Sequence, residues 1–239
     1  MDFTVNVLDE GGTSTDASSF STASITPAGN ALIIACVQNR HASPVTTVSS
    51  CTGCGITWTQ HSTVPYNSIA APSNRVSLFR VSAVSPTTGV VTFDFGGVTQ
   101  LDCNFFVFEV IGADLTQGSQ GVIQVMTDKQ NSGAGDPDNI TLAAFGNASN
   151  GTFSVVGVQG TASIGVDDTP VTYSPIMFGT FASASLRGEW LSQADTNPSF
   201  TVSVASSFGQ IAIEVALDTG AAAVPGGAAM HHYAQLRGA

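Results

Sequence analysis

Apolar and polar residues alternate along this chain with the two-residue period of a β-strand, segment after segment. Val91, Phe93 and Phe95 alternate with Thr92 and Asp94, and Phe200, Val202 and Val204 with Thr201 and Ser203. Ile211, Ile213, Val215 and Leu217 alternate with Ala212, Glu214 and Ala216. Successive strand side chains point to opposite faces, so each run offers one face to a core. Further strands are expected at 32–38, 56–61, 75–82, 104–111, 122–127, 140–145, 152–159, 171–178 and 186–192. Turn clusters separate them, such as Ser85-Pro86-Thr87-Thr88-Gly89 and Asn147-Ala148-Ser149-Asn150-Gly151. About eleven short strands with this punctuation predict an all-β fold, an antiparallel β-sandwich of jelly-roll-like topology.

A weak internal duplication runs beneath the pattern. Val37-Gln38 corresponds to Val158-Gln159, Trp58 to Tyr173, Phe79 to Trp190, Phe93 to Val202, and Phe108-Glu109-Val110 to Ile213-Glu214-Val215. The offset shrinks from 121 to 105 residues, which shorter loops in the second copy explain. Half-repeats at about 31–114 and 152–218 would share one sandwich domain over 25–218. Residues 1–24 feed that domain, and 219–239 form an extended Gly/Ala-rich C-terminal arm. The arm closes on a stretch able to make a short helix, with Met230, Tyr233 and Leu236 on one side as a partner contact.

Composition narrows the function. Charged residues are 10 % of the chain, against an ordinary ~25 %. Lys129 is the only lysine among 239 residues, so the surface must be Ser, Thr, Asn, Gly and small apolar groups. Such a skin suits β-structure packed into an assembly. A net charge of −11 repels phosphate backbones, which argues against nucleic acid. The longest apolar run, 31–37, is too short to span a bilayer, and Met1-Asp2-Phe3-Thr4-Val5 lacks the basic start of a secretory signal. Synthesis in a cytoplasm, with no membrane partner, is the expectation.

Four residues have metal-binding chemistry: His41, Cys51, Cys54 and His61. Cys51-Thr52-Gly53-Cys54-Gly55 is a CxxC turn flanked by a histidine on each side, and zinc takes four such ligands in a tetrahedron. The spacing is not a standard one, so zinc, a Cys51–Cys54 disulfide and plain reduced thiols all stay open. Cys36 and Cys103 lie in apolar strands and read as small core residues. Glu109 and Glu214 are the equivalent acids of the two half-repeats; a carboxylate pair suggests glycoside hydrolysis, and outward-facing strand residues suggest none. Asp136-Pro137-Asp138-Asn139 and Asp167-Asp168 offer oxygen ligands of the kind calcium takes, or ordinary turns. No GxSxG, HExxH or phosphate-binding loop occurs, so the chain is expected to be no enzyme and to need no cofactor. Trp58, Tyr66, Tyr173 and Trp190 are the candidates for stacking on sugar. Along 103–110 the alternation fails: Phe105 and Val107 face away from Phe106, Phe108 and Val110, and need a cover from the termini or another subunit.

The texture and strand order of residues 15–218 resemble the β-sandwich structural proteins of tailed-bacteriophage virions, found as head decoration, tail or fibre components. The resemblance runs through Ala31-Leu-Ile-Ile-Ala-Cys-Val, Ile56-Thr-Trp-Thr, Arg75-Val-Ser-Leu-Phe-Arg, Gly89-Val-Val-Thr-Phe, Phe106-Val-Phe-Glu-Val-Ile-Gly-Ala-Asp114, Thr152-Phe-Ser-Val-Val-Gly-Val and Gln210-Ile-Ala-Ile-Glu-Val-Ala-Leu217. It implies a non-enzymatic, oligomeric virion protein whose partners are capsid or tail subunits. Capsid decoration is the first expectation; the alternative is a tail or fibre component that binds carbohydrate or a receptor.

Overall fold

The structure, a computed structural model, describes residues 2–42, 44–83, 85–131, 140–166, 172–181, 184–203 and 206–220. The described residues are all-β, with fifteen strands and no helix. In chain order these are β1 (Thr4–Thr13), β2 (Ser19–Ser21), β3 (Ala31–Arg40), β4 (Ser50–Gly53), β5 (Thr59–Tyr66), β6 (Asn74–Ala83), β7 (Val91–Asp94) and β8 (Asp102–Ile111). Then follow β9 (Val122–Gln130), β10 (Gly151–Gln159), β11 (Ile164–Val166), β12 (Ser174–Phe181), β13 (Ala184–Leu191), β14 (Phe200–Val202) and β15 (Phe208–Val215).

Two five-stranded sheets carry the molecule, ordered β1-β8-β3-β6-β5 and β12-β13-β10-β15-β9, with every pairing antiparallel. They stack face to face, β1 beside β12 and β5 beside β9 and β15. The main core fills the gap. Leu32, Ile34, Leu78, Phe106, Phe108 and Val110 from the first sheet meet Phe153, Val155, Leu186, Trp190, Ile211 and Ile213 from the second. The rings of Phe108 and Phe153 lie 4.8 Å apart across that gap. Both central strands, β3 and β10, are buried on both faces; β3 reads as a continuous apolar run over 31–37 for that reason, whereas β10 sets Thr152, Ser154 and Gly157 among its apolar residues.

Each sheet comes from one contiguous half of the chain, whereas a jelly roll sends consecutive strands back and forth between its sheets. Counted within its own half, each sheet has the strand order 1-5-2-4-3. The small strands follow the same rule. β4 and β7, which lie between the second and third and the fourth and fifth of those strands, pair antiparallel, and so do β11 and β14. Two proposed correspondences fail. Phe79 faces the outer cluster and Trp190 the main core, a slip of one residue. With Glu109 matched to Glu214, the ladders place Val37-Gln38 on Val156-Gly157, two residues short of Val158-Gln159.

A second core lies on the far side of the first sheet, where β2-β7-β4 forms a three-stranded cover. Phe105 and Val107 are buried there, with the Phe105 ring 5.8 Å from that of Phe93. The sequence was right that this face needs a cover. The expected subunit contact at these two residues is corrected, because the chain's own small sheet supplies it.

Candidate functional site

The CxxC turn and its flanking histidines do not converge. Cys51 projects from β4 into the second core, beside Phe20, Trp58 and Phe93. Cys54 sits in the turn after it at φ 56°, its thiol directed at the Gly89 carbonyl 3.5 Å away. His41, in the loop after β3, places Nδ1 3.0 Å from the Pro44 carbonyl. His61 lies on β5, its Nδ1 accepting from Arg80 Nε at 2.9 Å. Among the described residues no three His, Cys, Asp or Glu side chains are grouped to hold a metal ion. The zinc reading of His41, Cys51, Cys54 and His61 is therefore corrected: local packing takes each side chain elsewhere. Cys51 and Cys54 are free thiols, as are Cys36 and Cys103. Burial pushes the Cys51 thiol well above the ordinary range, with Cys54 beside it adding to the rise. Such a thiol resists forming the thiolate a metal needs.

Glu109 and Glu214 form the most informative pair. Glu109 lies opposite Asn6 of edge strand β1 and accepts from Asn6 Nδ2 at 3.0 Å and from the Ala28 amide, just before β3, at 2.6 Å. Glu214 lies opposite Gln124 of edge strand β9 and accepts from Gln124 Nε2 at 2.6 Å and from Asn150 Nδ2, just before β10, at 2.6 Å. In each half, then, a buried carboxylate clasps the first strand of the sheet to the segment that opens its central strand. These are charge-assisted bonds, stronger than neutral ones and suited to fixing an edge. The two acids serve different sheets, so they do not form a hydrolytic pair.

Polar residues that sequence reasoning passed over hold the sheets together at one end of the main core. Gln38 Nε2 donates to the Tyr66 hydroxyl and, at 3.1 Å, to the Val158 carbonyl of the opposite sheet. Asn104 Nδ2 donates to Gln38 Oε1 at 3.1 Å and to the Ala184 carbonyl at 3.2 Å. Arg40 Nε bonds Asp102 at 2.6 Å two rungs further along the β3–β8 ladder. Burial drives the Tyr66 phenol far above its usual range, so the hydroxyl is a fixed hydrogen-bonding group. The signal in the sequence was there: polar side chains at inward positions of apolar strands.

Two surface depressions lie at the end where β15 leaves the fold. One, of about 340 Å³, is bordered by Asp114, Gln117, Asn147, Asn150, Glu214 and Leu217. Its polar atoms are largely engaged within the chain. Asn150 Oδ1 accepts from the Leu217 amide at 3.0 Å, Asn147 Oδ1 from Ser149 at 2.9 Å, and Asp114 Oδ1 from both Thr116 donors at 2.6 and 3.0 Å. The Thr116 bonds hold the Asp114 carboxyl below its usual range. The arrangement braces the loops at this end. The four aromatic candidates are no platform for sugar either, since Trp58, Tyr66, Tyr173 and Trp190 are all buried.

The Asp136–Asn139 and Asp167-Asp168 clusters lie outside the described residues, as does the C-terminal arm with Met230, Tyr233 and Leu236. No protein-family model, curated protein or solved structure matches the chain.

Proposed function

We propose that the protein is a non-enzymatic structural component of a tailed-bacteriophage virion, a capsid decoration protein that binds the particle surface. It is a rigid building block made from a duplicated five-stranded module, assembled in the host cytoplasm and retained on the virion. The observation that carries this reading is the paired clasp of Glu109 and Glu214. Two acids, each buried and held by two donors at matching places of matching sheets, stiffen the body. The low-charge surface supports the same role, because small Ser, Thr and Gly side chains lose little entropy when pressed against a neighbour. Contacts that each bury ~1,000 Å² or more would supply specificity.

The test is location. Antibody against the chain should label intact virions from the source culture in electron micrographs, and the chain should sediment with them in a density gradient. A monodisperse monomer that stays at the top of the gradient, with unlabelled particles, overturns the proposal.

A further inference from the structure

Arg80 is buried, and its guanidinium donates to neutral groups. Nε bonds His61 Nδ1 at 2.9 Å, one terminal nitrogen bonds Gln120 Oε1 at 2.5 Å, and the other bonds Ser119 Oγ. His61 reaches it because β5 bulges there: Gln60 pairs with Phe79, Ser62 with Leu78, and His61 between them is the extra residue. A bulge re-aims a side chain. An arginine can only donate, so the bond fixes His61 as the neutral tautomer with its proton on Nε2, and that nitrogen is buried without a partner among the described residues.

Ser119 and Gln120 belong to residues 112–121, the crossover from β8 in the first large sheet to β9 in the second. Gln120 takes a left-handed conformation at φ 58°, and the Ser119 amide bonds the Val122 carbonyl at 2.7 Å. Arg80 thus ties this crossover to β6.

We propose that the His61–Arg80 pair is an acid-operated latch on the crossover between the two large sheets. A solvent proton bound at His61 Nδ1 turns the acceptor into a donor, breaks the Arg80 Nε bond and sets two cations side by side. Arg80 then withdraws from Ser119 and Gln120. Among the described residues, β9 and β15 pack on β5 from the opposite sheet. Asp128 and Lys129 of β9 border the same depression as Thr63, Val64 and Pro65, further along β5, and Glu214 of β15 is bonded by Gln124 and Asn150. β6 contributes Arg80 itself, β3 places apolar Ile34 opposite it, and the crossover contributes two neutral side chains, its acid Asp114 being bonded to Thr116. Burial first, and Arg80 second, hold His61 down at about 4 from an ordinary 6.5. The unfolded chain therefore takes the proton before the folded one does. The latch is fully closed above the unfolded value of 6.5, and its contribution declines as pH falls toward 4.

Hydrogen exchange of the intact chain, corrected for intrinsic rates, tests this at pH 7 and about pH 3.5, below the depressed His61 value. Protection of residues 112–121 should fall about tenfold or more in acid while β3 and β10 keep theirs, a factor readable as local opening. In His61→Gln the amide oxygen accepts from Arg80 Nε at every pH, so crossover protection should persist in acid. Equal loss in the variant, or loss spread evenly over β3 and β10, overturns the latch. An NMR titration of His61 in the unaltered protein needs no variant: a midpoint near 4 supports it and one near 6.5 overturns it.

Discussion

Gly157 shows how single residues set the spacing of the two sheets. A Cβ added there would lie 2.3 Å from Val76 Cγ2 and 3.0 Å from the Tyr66 hydroxyl, in the polar end of the main core. The first sheet supplies the bulk at this level and the second supplies glycine; Gly188 answers Phe106 and Gly209 answers Tyr66 in the same manner. Gly157→Ala is predicted to cost about 1–3 kcal/mol, the usual penalty for overpacking. Gly146→Ala, where the added carbon meets nothing within 4 Å, should stay within about 0.5 kcal/mol of the parent. Urea unfolding of both variants checks the pair, and equal stabilities would remove the packing argument. The glutamates give a second prediction. Glutamine at 109 or 214 turns one acceptor oxygen into a donor facing another donor, and each change should cost about 1–3 kcal/mol. A neutral result at either position by the same measurement would show that its clasp does not hold the fold. The equivalence of these two acids could be read in the sequence, because both lie between apolar neighbours on matching strands. Their partners could not, since Asn6 sits on a strand the pattern did not show, and Gln124, on the expected strand 122–127, carries no sign of which strand it faces.

Strand recognition failed where tertiary partners replace local pattern. β1 contains Asp9-Glu10-Gly11-Gly12, which reads as a turn, yet it pairs with β8 along its length around a bulge between Val7 and Asp9. Gly11 leaves room there for the Phe105 ring, which lies 3.0 Å from where a Cβ would be. The converse holds at 140–145, an alternating run that forms no strand. Ile140 and Leu142 bury against Ala212, and the Ala143 amide and carbonyl both bond the Gln124 side chain, at 2.8 and 3.0 Å. A side-chain amide there takes the place of a neighbouring strand. The four outer strands of the large sheets share a further trait. β1, β5 and β12 each carry a register shift, β5 and β12 also hold Pro65 and Pro175, and β9 pairs across a shift at its start and exposes Lys129. Bulges, proline and lysine are the devices that keep sheet edges from pairing with other chains. The edges of both large sheets are therefore protected against pairing with another chain. Lys129→Val removes the charge from an edge that already exposes Ile123 and Met126. It is predicted to raise aggregation on warming, followed by light scattering, with little change in the folded spectrum. Unchanged scattering would show that the bulge alone protects β9.

At the scale of the whole molecule, the repeat reads as two copies of one topology, but neither copy encloses its own main core. Leu32, Leu78 and Phe108 of the first sheet are covered by Phe153, Leu186 and Ile213 of the second. Gln38 and Asn104 reach across to backbone carbonyls of β10 and β13, so separation would leave buried polar groups as well as apolar surface exposed. The second core, under β2-β7-β4, belongs to the first half alone. Its strands include β3 and β8, however, whose opposite faces line the shared gap, so the two cores cannot melt independently without breaking those strands. The described fold should therefore unfold in one step. Calorimetry is predicted to give a single transition whose van't Hoff and calorimetric enthalpies agree. Two resolved transitions would mean that each half is stable alone and that the shared core adds only a docking contact. The sequence pattern could not decide between these outcomes, because an inward face and an outward face look alike on strands buried on both sides. The stacking of the sheets decides it, by placing the aromatic-rich face of one against the glycine-bearing face of the other.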